Sequence, residues 1–411
     1  MQRTMATKAA CSFLYDSHCH LREAALCETA ETAATAAASS CALDDGRSSV
    51  MSIVLCGTHP QLDWDLVAKA IIKPNGVHKI PGFGVHPWLV PASPPQTPEA
   101  KLTNPVSAPV APSAQRRGAG GGCCSAAPAD ASAHLSLSLA EILAELEGRL
   151  RTFPRAIVAE IGLDKLRGPP EAVQKEAFVA QLRIAAAHQR PVSVHCVRHY
   201  GLLLQLLQDL PAEDTPPAII LHAFTGSLEV AKSLLNLKNK KRTKAKLKDV
   251  PAMSASTQSK KGSDCTEASA PQPKKTKRGG GPSAGTVRIN ERIFFGVGLS
   301  TSFTVKNFST QTLPCLLSAQ KVLLETDAHY GGERDCGCDG EATGGNATAG
   351  VYVSAREHAA QLEEVMRIVA VTALQSAELA KSAQASGLAP DVLVRQSVTA
   401  AYATAFRSVL H

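Results

Sequence analysis

The sequence predicts an α/β protein built as a (β/α)8 TIM barrel. Three observations lead there. Eight short runs rich in Val, Ile, Leu or Phe pass straight into polar or Gly residues, helical segments separate several of them, and chemically competent side chains recur at their ends. Strands covered on both faces read as continuous apolar runs rather than as alternation. Repeated strand–helix alternation is the pattern of an α/β fold.

The eight runs lie at 12–16, 51–56, 79–85, 156–161, 191–195, 218–222, 292–296 and 321–325. The clearest helix is 171–189, with Phe178, Leu182 and Ala185 at spacings of four and three, which places them on one face. Segments 138–151 and 227–237 follow the same logic, and 354–371 and 389–409 supply helices after the last strand. Four stretches break the alternation: 23–49 is Ala/Thr/Ser-rich, 89–133 Pro/Gly/Ala-rich, 238–288 Lys- then Gly-rich, and 331–350 Gly/Cys-rich. They hold too little apolar surface to offset the entropy of ordering and read as flexible loop insertions. Setting aside these roughly 140 residues leaves roughly 270, near the ~250 of one barrel. The expectation is one domain over 12–411 with four insertions and no internal repeat.

The net charge of the 411 residues is +7, and 44% of them are hydrophobic. The charge is local: residues 238–278 hold 13 Lys/Arg against 3 Asp/Glu, and the remainder holds 30 against 33. A basic-protein argument for nucleic-acid binding therefore fails for the barrel itself. Twelve cysteines in no regular framework, with no apolar core region in residues 1–11, point to free thiols in a reducing compartment, cytoplasmic or nuclear. No apolar run approaches the ~20 residues that span a bilayer, so no membrane association is expected.

The first strand runs into Tyr15-Asp16-Ser17-His18-Cys19-His20. Alternate strand residues share a face, so His18 and His20 can hold one metal together. Other ligand types close other strands: Glu160 the fourth, His195 the fifth, His222 the sixth, while Asp327 follows the eighth. Barrel strand ends converge on one rim, where catalytic residues of this fold sit. Four histidines and two carboxylates make a site for two divalent cations (Mg²⁺, Mn²⁺ or Zn²⁺), with Glu160 bridging.

Asp-Ser-His-Cys-His, Gly-Val-His-Pro-Trp at 84–88, Glu-Ile-Gly-Leu-Asp, Pro-Val-Ser-Val-His, His-Ala-Phe-Thr-Gly-Ser and Leu-Glu-Thr-Asp-Ala occur in that order. Together they resemble the successive motifs of the TatD family of metal-dependent DNases, from about residue 12 to the C-terminus. The resemblance implies a barrel hydrolase of phosphodiesters, a 3'-5' exodeoxyribonuclease acting on DNA. It implies metal ligands at His18, His20, Glu160, His195, His222 and Asp327. Glu160 and Asp327 would be catalytic, with Asp327 accepting the proton of an activated water. It also implies substrate contacts at His86 and Arg198, while Thr225 and Ser227 open a helix whose amides suit a phosphate. Some positions depart from the bacterial pattern. The arginine expected at position 197 is Val197, with Arg198 one residue later, His329 stands for a proline and Ala159 for a glycine. These departures are similar to a eukaryotic branch that includes fungal TatD-like proteins interacting with a subunit of the anaphase-promoting complex. Related amidohydrolases use a lysine at the fourth strand, whereas here that strand ends in Glu160 and Lys165 lies beyond it. Two alternatives remain: a catalytically weak interaction protein with this fold, and a metal-dependent ester or amide hydrolase.

Other residues take blander readings. His59 is read as a loop histidine, His188 and His199 as solvated. Cys336 and Cys338 are read as loop thiols and Cys123-Cys124 as incidental. Trp88 is either a stacking platform for a base or a packing residue. The basic run 238–278 precedes the seventh strand and should leave from the end opposite the rim, as a nuclear signal or a solvated tail. The other three insertions follow strands, border the mouth and are candidate surfaces for a protein partner.

Overall fold

The computed structural model describes residues 13–21, 49–72, 78–92, 135–239, 288–330, 352–353, 355–376, 381 and 384–410. All but the edges of the four expected insertions lie outside the described residues, as do the Cys123-Cys124 and Cys336/Cys338 pairs.

Eight parallel strands occupy the eight expected places. The strands β1 (Phe13–Leu21), β2 (Ser49–Cys56) and β3 (His78–Gly82) pair in sequence, as do β4 (Val158–Asp164), β5 (Val192–Val197), β6 (Ile219–Leu221), β7 (Ile293–Val297) and β8 (Val322–Leu324). Two seams join these sheets. At one, Ile157 donates its amide to Pro81 (2.9 Å), while Phe83 donates to Ile157 and Ala159 to Phe83 (3.1 Å each). At the other, Asp327 donates to His18 (3.0 Å) and His20 to Ala328 (2.9 Å). The sheet is thereby closed as a barrel. β1 is longer than its apolar run suggests, because the strand carries on through His18 and His20. Two short strands, β9 (His329–Tyr330) and β10 (Tyr352–Val353), extend the sheet beyond β1 and have no apolar signature.

The helices are α1 (Trp64–Ile72), α2 (Leu139–Thr152), α3 (Glu171–Ala187), α4 (Tyr200–Asp209), α5 (Leu228–Leu235), α6 (Leu313–Ser318), α7 (Ala355–Gln375) and α8 (Pro390–Ala405). Their starts follow local chemistry. Ser138 and Glu141 form a reciprocal capping box on α2, Ser227 caps α5 by accepting from the Val230 amide, and Pro390 opens α8 where no amide is needed. The sequence reading lacks α1, α4 and α6. In α4, Leu203, Leu206 and Leu207 form the buried face, but the surrounding run of leucines masks the 3.6-residue period.

The strands sort their side chains by parity. Ile53, Leu55, Ile219, Leu221, Ile293, Phe295, Val322 and Leu324 face outward and pack with helix residues such as Leu146, Phe178, Leu207 and Leu316. Val54, Cys56, Ile80, Ile157, Ile220, Phe294 and Leu323 face inward. There they meet Tyr402 of α8, together with Phe406 and Val409 just after it. Tyr402 stacks on Tyr15 with ring centroids 4.7 Å apart and donates its hydroxyl proton to Ser52 Oγ at 3.0 Å. These partners lie early in their strands, so the C-terminal helix plugs the N-terminal end of the barrel. Full burial of a side chain such as Phe406 stabilises by about 1.5–3 kcal/mol. The other end is left for polar residues.

Candidate metal centre

Two steps along the same inward rows the chemistry changes. Ile220 is followed by His222, Leu323 by Glu325 and Phe294 by Gly296, while His18 and His20 share one face of β1. The resulting cluster is buried. His18 Nε2 and His20 Nε2 lie 3.0 Å apart, and Glu160 Oε2 is 3.5 and 3.4 Å from them. Asp327 Oδ1 is 3.9 and 3.7 Å from the same nitrogens. The other Glu160 oxygen, Oε1, lies 2.9 Å from His195 Nδ1, 2.6 Å from His222 Nε2 and 3.5 Å from His86 Nε2. Glu160 therefore faces two donor groups, one with each oxygen.

Neighbours fix which ring nitrogen faces the cluster. His20 Nδ1 donates to the Cys56 carbonyl (2.9 Å), so Nε2 is the ring nitrogen that faces the cluster. His18 Nδ1 is 2.9 Å from Ser193 Oγ. His195 Nε2 faces Asp164 Oδ2 at 3.4 Å, so its Nδ1 points inward. A carboxylate behind a ligating imidazole sets its tautomer and orientation. Gly162 makes room for this contact between β4 and β5: at φ +155 a Cβ would lie 1.9 Å from the His195 carbonyl oxygen. Asp16 ties His18 of β1 to the end of β8. Its Oδ1 accepts from the amides of His18 (3.0 Å) and Thr326 (3.2 Å), and its Oδ2 from the Thr326 hydroxyl (2.6 Å). His358 of α7 meets the same oxygen at 2.7 Å.

Electrostatics follow from burial among mixed charges. Burial pushes the Asp327 carboxyl up to about 6, against the pull of His222 and His20. Glu160 goes the other way: burial opposes its charge, but His222 and His86 beside it hold it well below the usual carboxylate range. Burial would lower His20 too, yet Glu160 and Asp327 raise it to about 9. His86 falls to about 4, chiefly through burial. Burial resists ionisation of Asp164, but hydrogen bonds from His195, the Leu166 amide and Trp88 bring it down to about 2.

The donor set suits divalent cations. Three overlapping groups, His18/His20/Glu160, His18/His222/Asp327 and His86/Glu160/His195, each have their ligand atoms within 4.8 Å of one another. Asp327 Oδ2 is buried with no described hydrogen-bond partner, unusual for a buried polar atom unless a ligand completes it. The sequence profile described as TatD related DNase matches residues 15–240, more than half of the chain. The chain belongs to the TatD family. It is 32% identical over 138 residues to the Cut9-interacting protein scn1 of Schizosaccharomyces pombe, covering 22% of this chain and 41% of that protein. It is 45% identical over 75 residues to the 3'-5' ssDNA/RNA exonuclease TatD of Citrobacter koseri, covering 18% of this chain and 27% of that one. The chain thus spans about two-fifths or less of the length of these curated relatives. The crystal structure of the TatD homologue YjjV from Escherichia coli superposes with a TM-score of 0.48 at 15% identity, covering 96% of this chain and 98% of that one.

Within this TatD barrel the structure brings together all six residues expected as ligands, and adds His86. The expected substrate contacts fare differently. Arg198 is exposed, at φ +52 just past β5. Thr225 and Ser227 already have structural duties. The Thr225 amide donates to the Tyr200 hydroxyl (3.1 Å), and the Ser227 hydroxyl caps α5. His59 is fully buried, its Nδ1 accepting from the Gln61 amide (3.1 Å). His199 pairs with Glu171 at 3.2 Å, and His188 caps the end of α3. Trp88 donates to Asp164 Oδ2 (2.6 Å) and meets the His86 ring edge-on at 4.7 Å. Asp16, Asp164, Ser193 and His358 gained no role from the sequence. The first two are carboxylates inside apolar strands, which is itself a signal; the last two gave none.

Proposed function

We propose that the protein is a phosphodiesterase dependent on two divalent cations that removes nucleotides from the 3' end of single-stranded DNA. The observation that carries this is the placement of Glu160, one oxygen toward His18 and His20 and the other toward His195, His222 and His86. One cation would be held by His18, His20, Asp327 and Glu160 Oε2, the other by His195, His222 and Glu160 Oε1. When bound, such cations supply Lewis acidity, drawing charge from phosphoryl oxygens and making water acidic enough to attack near neutral pH.

The chain's own residues do the rest. Asp327, whose second oxygen Oδ2 is buried with no described hydrogen-bond partner, would take the proton of the attacking water. His86 accepts the Trp88 amide at Nδ1 (3.2 Å), so in its neutral form Nε2 carries the hydrogen and donates to a phosphoryl oxygen. Asp164 holds the His195 ring in place. The names of the bacterial relatives support the strand class and polarity. The likeness to scn1 supports a second reading, a protein-binding role. Exposed Val371, Leu374, Leu388 and Val392 near the ends of α7 and α8 that adjoin in sequence are apolar side chains available for it.

In this reading one barrel domain carries four insertions, and those after β1, β3 and β8 govern access to the mouth. The basic insertion leaves from the opposite end, where Asn239 donates to the Leu210 carbonyl (2.8 Å) at the close of α4. The protein acts in the cytoplasm or nucleus; no described helix is long and apolar enough to cross a membrane.

The test is digestion of 5'-labelled single-stranded DNA with Mg²⁺, Mn²⁺ or Zn²⁺, with a 3'-blocked strand and Asp327→Ala alongside. Stepwise shortening from a free 3' end, absent with the blocked strand and in the variant, is expected. No cleavage with any cation by protein that binds them overturns the reading and favours ester or amide substrates or the partner role.

A further inference from the structure

The loop after β4 carries an arginine that the metal centre does not use. Arg167 is exposed, yet its place is built rather than accidental. Its amide donates to Asp164 Oδ1 (3.2 Å), and Gln174 donates to its carbonyl (3.1 Å). Its guanidinium carbon sits 4.8 Å from the centre of the Trp88 ring. The next residue, Gly168, is at φ +90, and a Cβ there would lie 2.8 Å from the Pro87 carbonyl oxygen and 3.1 Å from Trp88 Cα. The loop and Trp88 are therefore locked together. Trp88 in turn reaches the donor cluster through His86 and His195, with ring centroids 4.7 and 5.9 Å away. Arg167 stands one aromatic ring outside that cluster, and among the described residues no ion pair engages its guanidinium.

A guanidinium seated on an aromatic face is pre-organised for paired hydrogen bonds to a phosphate, and its neutral support leaves the positive charge unspent. The ring face beneath it is occupied, so Trp88 reads as a support for the cation rather than as an open platform for a base. We propose that Arg167, carried by Trp88, binds a phosphate of a single-stranded nucleic acid that flanks the one being cleaved. This rests on the phosphodiesterase reading above. It also assigns the anion-binding role that the displaced Arg198 leaves open to a residue on the neighbouring loop. A phosphodiester with a single phosphate gains nothing from such a contact, and that separates it from a role in cleavage itself.

Two measurements on the full chain test it, with Arg167→Met and Arg167→Lys. Binding of fluorescein-labelled oligothymidylate is followed by anisotropy in EDTA across a range of salt concentrations. Loss of one phosphate contact lowers the slope of log affinity against log salt by about 0.7 in the methionine variant. Lysine keeps the slope, because it keeps the charge. Turnover is then compared on oligothymidylate and on bis(p-nitrophenyl) phosphate. The ratio of kcat/KM for the first over the second is expected to fall about tenfold in Arg167→Met, the size of one charge-assisted contact. An unchanged slope overturns the proposal, whether both substrates are then lost equally or neither is affected. If the wild type cleaves neither substrate with any cation, the phosphodiesterase reading fails, and the salt slope still decides whether Arg167 binds phosphate.

Discussion

The two ends of the barrel are lined from the same inward rows of the same strands and differ in almost every property. At the N-terminal end, Ile80, Ile157 and Phe294 close on Tyr402 and Phe406 in an apolar plug. At the other end, one or two inward positions on, the rows deliver His222, Glu325, His18 and His20, ionisable side chains that are all buried. The difference teaches a division of labour. Packing at one end provides stability that the other end spends on crowding carboxylates and imidazoles, an arrangement that costs free energy until a cation joins them.

Substitutions at the two ends should therefore part stability from turnover. The largest effect is expected for Glu160→Gln, which keeps the shape but removes the charge shared by both donor groups. Turnover per folded molecule should fall on the order of 10³-fold or more, with circular dichroism unchanged. Phe406→Ala should do the reverse, costing about 3–5 kcal/mol in urea unfolding while kcat at a permissive temperature stays within about twofold. Equal damage to both properties by either variant would erase the distinction. Behind the ligands, Asp164→Asn should weaken metal affinity by about 10–100-fold through loss of His195 orientation, measured by titration calorimetry.

The smallest effect concerns His59, also at the rim but outside the ligand set. Burial lowers it from 6.5 to about 4. The folded state thus resists a proton that the unfolded chain accepts. The stability it contributes is present above pH 6.5 and is lost as pH falls through about 4. In EDTA, the decline of Tm between pH 6.5 and 4 should be shallower for His59→Gln than for the wild type. Parallel profiles would mean that its burial carries no such linkage.

Much of this was legible in the chain because the ligands stand at, or a few residues past, the ends of apolar strand runs. Glu160, His195 and His222 are signalled by the runs that precede them, and Gly84-Val-His86 by its own motif. What could not be read depends on contacts between distant segments. The Trp88–Asp164 hydrogen bond joins residues 76 apart, and His358 reaches Asp16 from a helix whose sequence is ordinary. The inward aim of His195 Nδ1 also needed Asp164 in place behind the ring, which no spacing announces. Helix α4 was hidden for a different reason: its leucines are so dense that the buried face does not stand out from the rest.

The proposed bridging role of Glu160 is tested most directly by counting cations. Wild-type and Glu160→Gln protein, stripped and then dialysed against Mn²⁺, would be compared for metal content per chain. The account predicts about two ions in the wild type and at most one in the variant, since both donor groups share that carboxylate. Two ions retained by the variant, or a single ion in the wild type that the substitution leaves in place, would contradict it.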